Sequence, residues 1–274
     1  MNNYKKLIIN IKDTVDVEDF SGNFFDLDVE GIEVKEQHIE VYFQENELAT
    51  LLDSIEDLSE AIESYTVEEV ENKNWNQIWE EQFQPIQIEN DIFIRASFHQ
   101  ANPICKYDIL IEPKMSFGTG HHATTYQAMQ HLLLLDNANK KVLDCGSGTG
   151  ILAILSSLLG ASEVVAIDND EWCFINVQEN IVLNNTLNIQ PVLGELSNLE
   201  MTSFDIILAN IHKNYLLENQ QLLTEKLVKN GKIILSGFYI DDVNAILDAY
   251  QAVGMQLEKQ TDKDNWACLT LKKL

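Results

Sequence analysis

Residues 141–153 read KVLDCGSGTGILA. A short apolar strand runs to Asp144, glycines follow at 146, 148 and 150, and the apolar run beyond them opens a helix. No other stretch restricts the chain so tightly. Strand, glycine turn and helix in this order is how α/β folds handle nucleotide-like ligands. The glycines let the backbone turn and approach the ligand, and the helix start offers N–H groups. The spacing narrows the ligand. A dinucleotide fingerprint, Gly-x-Gly-x-x-Gly, needs a third glycine at position 151. Ile151 stands there and the third glycine is Gly150, which disfavours NAD and a nicotinamide-dependent oxidoreductase.

The segments after this loop alternate regularly. Helix is expected over 151–159, strand over 163–167 ending at Asp168, and helix over 171–184. Strands follow at 190–193 and 204–209, the second ending at Asn210. One helix is expected over 215–228 with Gly231 after it, then a strand over 232–236 and a helix over 241–253. A terminal strand pair closes the chain at 255–259 and 267–271. Strands alternating with helices predict a mostly parallel sheet covered on both faces. Right-handed crossovers put Asp144, Asp168 and Asn210 on one sheet edge, where ligands bind.

Each strand end suggests a role. Asp168, spaced from Gly146 as in ribose-binding units, is suited to accept hydrogen bonds from both ribose hydroxyls of an adenosine cofactor. Asp144 either braces the loop or meets a charged amine of the ligand. The Asn210 amide oxygen and neighbouring carbonyls are suited to accept from an amine, or Asn210 caps the following helix. A second glycine loop, MSFGTGHHATT at 115–125, precedes a helix over 126–135 and offers hydroxyls to an anionic group. His121 and His122 are adjacent rather than four apart, so they form no helical metal pair.

Residues 1–67 read as a separate α+β unit. Strands are expected at 4–11, 32–34, 38–43 and 62–67, with helices over 15–27 and 45–58. That β-α-β-β-α-β order predicts a ferredoxin-like sandwich. Residues 68–84 predict a linker helix with Trp75, Trp79 and Phe83 on one face, stopped by Pro85. Strands at 86–88, 92–96 and 108–111 lead into the large domain, residues 85–274.

Charge bears on the partner. The chain carries a net −26 and a single arginine, Arg95. Residues 1–64 alone hold 17 acidic and four basic residues, half of that charge. Nucleic-acid binding requires a basic surface to displace counterions, so a nucleic-acid reader is disfavoured and a basic protein partner favoured. Apolar runs stay well short of 18 residues and the N-terminus has no leader-like run, which predicts a cytoplasmic chain with no membrane span. The four cysteines lack metal-ligand spacing and read as reduced thiols, Cys145 as a packing residue.

VLDCGSGTGILA, the following Asp168 and the strand ending in ANI resemble the S-adenosylmethionine-dependent methyltransferases of Rossmann-like fold. MSFGTGHHATT after Glu112-Pro113, NWNQIWEEQF, LGA, DNDEW and DNWACLTL further resemble the bacterial ribosomal protein methyltransferases of the PrmA family, over essentially the whole chain. The chain has Glu112-Pro113-Lys114 where that family has Asp-Pro-Gly, and Ile-His-Lys after Asn210 where Ile-Leu is usual. The resemblance implies S-adenosyl-L-methionine as cofactor, contacted by Thr125, Gly146, Asp168 and Asn210, with Gly148 and Asp144 beside them. Asn210 is the catalytic candidate, and His212, His121 and His122 are candidate bases. It also implies a monomer whose N-terminal domain recognises the substrate. The acceptors implied are amino groups of the large-subunit ribosomal protein L11, lysine side chains included. Other basic proteins and a non-catalytic cofactor-binding module are the alternatives. A base or glutamine methyltransferase would carry two prolines and an aromatic after Asn210; Ile211, His212 and Lys213 stand there instead.

Overall fold

The computed structural model describes residues 4–12, 14–15, 17–24, 27, 29–35, 37–59, 61–69, 84–112, 114 and 116–274. The chain divides into two compact units, residues 1–82 and 83–274. The expected linker helix at 68–84 falls outside the described residues except for positions 68 and 69, which extend a strand, and position 84.

The first unit runs β1 (Tyr4–Ile11), α1 (Val17–Ser21), β2 (Gly31–Val34), β3 (His38–Gln44), α2 (Leu48–Asp57) and β4 (Ile62–Glu69). Its sheet order is β2-β3-β1-β4 with every neighbour antiparallel, the ferredoxin-like arrangement. Alternation sorts its faces. Leu7 and Ile9 on β1 and Ile39, Val41 and Phe43 on β3 are fully buried with Phe24 and Leu51. The helix expected over 15–27 is only five residues long and passes into a 3-10 turn at Gly22–Phe24. A glycine inside a helix costs about 1 kcal/mol relative to alanine, which favours that break.

The second unit begins with a separate three-stranded sheet, β5 (Ile86–Ile88), β6 (Ile92–Arg95) and β7 (Tyr107–Leu110). The main body follows as α3 (Ala123–Leu133), β8 (Lys141–Cys145), α4 (Ile151–Leu158), β9 (Glu163–Asp168), α5 (Glu171–Leu183), β10 (Ile189–Leu193) and β11 (Phe204–Asn210). It ends with α6 (Lys213–Glu218), α7 (Gln220–Lys226), β12 (Leu227–Tyr239), α8 (Val243–Ala252), β13 (Met255–Lys263) and β14 (Trp266–Lys273). The sheet order is β10-β9-β8-β11-β12-β14-β13. The first five strands pair in parallel and β14 runs antiparallel to both β12 and β13. The chain leaves β8 toward β9 on one side and returns to β11 on the other, so a crevice opens at their C-terminal ends.

Strand alternation supplies two cores. Val142, Val164, Ala166, Ile206 and Leu208 point to the face covered by α3, α4 and α5. Leu143, Val165, Ile167, Ile207 and Ala209 point to the face covered by α6, α7 and α8. Asn180 on α5 and Asn184, the residue that caps its C-terminus, serve the β7 segment as a substitute strand. Asn184 accepts from the Leu110 N–H at 2.8 Å and donates to its carbonyl at 2.7 Å; Asn180 accepts from the Glu112 N–H at 3.2 Å.

Two expectations change here. The helix expected over 215–228 is two short helices, and β12 begins at Leu227 rather than at 232. Phe204 of β11 pairs with Leu227 before the register shifts, and Asn230, in the left-handed region at φ 64°, makes a bend within the strand. Among the described residues no helix is long and apolar enough to cross a membrane.

Candidate active site

A cavity of about 340 Å³ lies at the crevice between β8 and β11. Thr125, Gly146, Gly148, Asp168 and Asn210 all line it, so five of the six sequence-selected residues converge. Asp144 does not line it. It is 1% exposed beneath the loop, where Oδ2 accepts from the Ala153 N–H at 3.0 Å. Of its two sequence readings, bracing the loop is the one this contact matches. Burial pushes its carboxyl up to about 8, with a smaller contribution from the Asp168 charge.

The glycine loop does not present a row of unpaired donors. The Gly146 and Ser147 N–H groups donate to the Ile167 carbonyl at 2.9 and 3.1 Å, and Gly150 N–H to the Ser147 carbonyl at 2.8 Å. Gly148 N–H donates to Asp168 Oδ2 at 2.9 Å, and Thr149 N–H to the Phe117 carbonyl at 2.9 Å. The loop's backbone donors are thus taken up by the protein itself, which suits a ligand without phosphates. Gly148 is required by sterics: at φ +54° an added Cβ would lie 2.2 Å from the Phe117 carbonyl oxygen. The same contact docks the second glycine loop onto the first, with Thr149 Oγ1 donating to the Gly118 carbonyl at 2.5 Å.

The polar wall lies at the ends of β9 and β10. Asp168 Oδ1 accepts from the Asp170 N–H at 3.1 Å, and its carbonyl accepts from Gly194 N–H at 2.9 Å. Each carboxylate oxygen holds one backbone donor and keeps a further acceptor site, which fits a pair of ribose hydroxyls. Asn169 donates to Glu195 Oε1 at 2.9 Å, and Glu195 lines the cavity. Ser147 Oγ also lies at the cavity, buried with no hydrogen-bond partner among the described residues. Ile151, Leu152, Ile167 and Leu196 supply apolar lining. A neutral-bodied adenosine cofactor fits this mixture: acceptors for hydroxyls and an amine, an orphaned hydroxyl, and no exposed cation for a phosphate.

Across β8 from that wall stands a hydroxyl–amide–hydroxyl chain. Asn210 Nδ2 donates to Thr125 Oγ1 at 3.2 Å, and Asn210 Oδ1 accepts from Ser236 Oγ at 2.9 Å. Thr125 and Ser236 are fully buried. Asn210 is not the helix cap its position allowed; His212 caps α6, its Nδ1 accepting from the Tyr215 N–H at 3.3 Å. The other two candidate-base histidines also make local hydrogen bonds. His122 caps α3 and His121 faces Gln84 and Thr119. Burial pushes the Cys145 thiol up to about 12 and raises the Tyr215 hydroxyl as well, so Cys145 packs as a neutral thiol.

Several lining residues carried no sequence signal of their own. Phe117 lay inside the second glycine loop, and Ile211 and Tyr215 followed Asn210 without a motif. Glu195 was signalled only by its place just beyond a strand end. Ser236 was placed on a strand, with no sign that it faces Asn210.

A sequence model of the family described as ribosomal protein L11 methyltransferase (PrmA) matches residues 6–274. The ribosomal protein L11 methyltransferase of Phocaeicola vulgatus is 44% identical over 207 residues, covering 75% of this chain and 74% of its own. That of Porphyromonas gingivalis is 43% identical over 198 residues, covering 72% and 68%. The crystal structure of a ribosomal protein L11 methylase from Lactobacillus delbrueckii subsp. bulgaricus superposes with a TM-score of 0.66 at 28% identity, over 70% of this chain and all of that one. A Pyrococcus furiosus methyltransferase, 18% identical with a TM-score of 0.52 over 60% of this chain, shares the fold. With the methyltransferase strand order, the cavity at its switch point and these matches together, the chain belongs to the ribosomal protein L11 methyltransferase (PrmA) family.

Proposed function

We propose that this chain transfers methyl groups from S-adenosylmethionine to ribosomal protein L11, and that the acceptors are amines: lysine side chains and the N-terminal amino group. The observation that carries the amine reading is the Thr125–Asn210–Ser236 chain at the cavity, because it offers a fixed amide oxygen and no acid. Bound there, the cofactor supplies an electrophilic methyl on a sulfonium.

The protein's part is holding, orienting and drying. Asp168 takes the ribose hydroxyls, and the glycine loop and Ile151 close around the rest. Asn210 Oδ1, already fixed by Ser236, has a second acceptor position for an amine N–H. That bond turns the nitrogen lone pair away from Asn210, and in-line positioning of this kind supplies much of a methyl transfer's rate. A free lysine with pKa near 10.4 is neutral about once in 10³ at neutral pH, so the site must favour loss of its proton. The lining carboxylates Asp168 and Glu195 stand at the ends of β9 and β10, on the other side of β8 from Asn210.

The small unit is the proposed recognition element, acting in a cytoplasmic monomer. Its sheet turns Glu33, Glu40 and Glu68 to the side opposite its core, around Lys6, which lies 3.2 Å from Glu40. An acidic surface of this kind complements a basic protein and repels nucleic acid. The test is transfer of a labelled methyl group from S-adenosylmethionine to unmethylated ribosomal protein L11, followed by mass mapping. Label on amino groups is the expected result. Label confined to RNA, or to oxygen or amide side chains, overturns the reading.

A further inference from the structure

Four rings form a continuous line whose first member, Phe117, shares the cavity lining with Asn210. Phe117 meets the His122 ring edge-on at 5.3 Å, His122 meets Trp266 at 4.8 Å, and Trp266 stacks on Tyr239 at 4.2 Å with 29° between planes. The fold holds each ring in place. His122 is fixed as the cap of α3, three residues before Thr125. The Trp266 carbonyl accepts from Gln127 Nε2 of the same helix at 2.9 Å. Tyr239 pairs with Trp266 across β12 and β14, three residues beyond Ser236, the strand partner of Asn210. The line starts at the cavity, which Phe117 lines, and runs along the C-terminal sheet edge on the Thr125 side.

Core packing does not account for these rings. Phe117 is 54% exposed and Tyr239 51% exposed, and Trp266 is half-buried. The outer end carries exposed Asp241 after Tyr239 and exposed Asp262 and Asp264 before Trp266, with Lys263 between the last two paired to Asp264 at 3.5 Å, which leaves the carboxylates in excess. Aromatic faces attract cations through their quadrupole and pack alkyl stems, and a carboxylate rim repels phosphates. A nucleobase with its backbone is therefore the wrong occupant, and an alkylammonium is the right one.

We infer that Phe117, His122, Trp266 and Tyr239 form the acceptor subsite, a wall that receives the methylene stem and ammonium of a lysine and retains the partly methylated amine between turnovers. The inference rests on the amine reading above. Rings have a property that carboxylates lack here. They hold the cation without a strong hydrogen-bond acceptor that would keep its proton, and their grip persists as methyl groups replace N–H bonds. An amine that stays on the wall after one transfer can lose its proton to solvent and, once a fresh methyl donor is bound, give an N–H to Asn210 Oδ1 and turn its lone pair toward the donor again.

The test uses the full chain loaded with S-adenosylhomocysteine and two probes, Nα-acetyl-lysine amide and its ε-trimethyl analogue. Saturation-transfer NMR is expected to mark the methylammonium protons of the analogue, shifted upfield by the rings. Tyr239→Leu and Trp266→Leu should each weaken its binding about tenfold, with Trp266→Phe restoring most of it and S-adenosylhomocysteine affinity unchanged within about twofold. Tyr239→Leu decides the matter if Trp266→Leu fails to fold, since its ring is half open to solvent. Equal probe binding in wild type and Tyr239→Leu overturns the subsite. The probes need no turnover, which separates two failures. A wild type that binds them yet labels no amine on ribosomal protein L11 overturns the proposed function alone. Full transfer to L11 with unchanged acceptor KM in Tyr239→Leu overturns the subsite alone.

Discussion

Asp144 and Asp168 each end a strand beside the glycine loop, but one is 1% exposed under the loop and the other lies on the cavity wall. Sequence spacing marks both and cannot tell them apart, because which side of the loop a carboxylate faces depends on the helix packed above it. Substitution separates them. Asp168→Ala should weaken S-adenosylhomocysteine binding roughly 10- to 100-fold, as loss of hydrogen bonds to a charged group does, measured by calorimetry. Asp144→Asn keeps an oxygen for the Ala153 N–H and should leave that affinity nearly unchanged. Its effect appears in stability against pH. The Asp144 carboxyl is raised from 3.8 to about 8 in the folded chain, so folding takes up a proton between those values. This group's contribution is full below the unfolded value and is lost as pH rises toward 8, at no more than about 1.4 kcal/mol per pH unit. Urea midpoints from pH 5 to 8 should therefore fall less steeply in Asp144→Asn than in wild type.

Local pattern gave the glycine loop, its flanking strand and helix, and the strand ends at Asp168 and Asn210, because these follow from short-range periodicity and turn chemistry. Elements shaped by distant partners were less legible. β12 reaches back to Leu227 because Phe204 of β11 pairs with it there, while β14 joins only from Lys232, and no residue between 227 and 231 announces that. Gly237 is the sharpest instance. Its strand was expected to stop at 236, yet the chain continues through a register shift at that point, with Gly237 at φ +96°. An added Cβ would stand 2.5 Å from the Ile211 carbonyl oxygen, so the backbone after Asn210 crosses closely over it. Gly237→Ala should cost about 1–3 kcal/mol in a urea titration and lower turnover more than cofactor affinity, because Ile211 and Asn210 would be displaced together.

The two units have separate cores, and among the described residues the cavity lining comes from the second unit. Their tasks should separate likewise. A fragment of residues 83–274 is expected to bind S-adenosylhomocysteine within about threefold of the full chain, while transfer to ribosomal protein L11 at low substrate falls about 10²-fold for want of a tethered second contact. Unchanged transfer would remove the recognition role from the small unit. The charge of −26 was legible at a glance, but its use was not, since acidity also serves solubility.

The closed backbone donors of residues 146–150 bear on competition among metabolites. Adenine nucleotides share the adenosine of the cofactor, and a pocket selecting on adenosine alone would be jammed by them. Here a triphosphate tail would exchange its water for a loop whose N–H groups are already spent on Ile167, Asp168, Phe117 and Ser147, beside two carboxylates. The loop discriminates by withholding solvation from an anion, and a sulfonium amino acid tail needs far less of it.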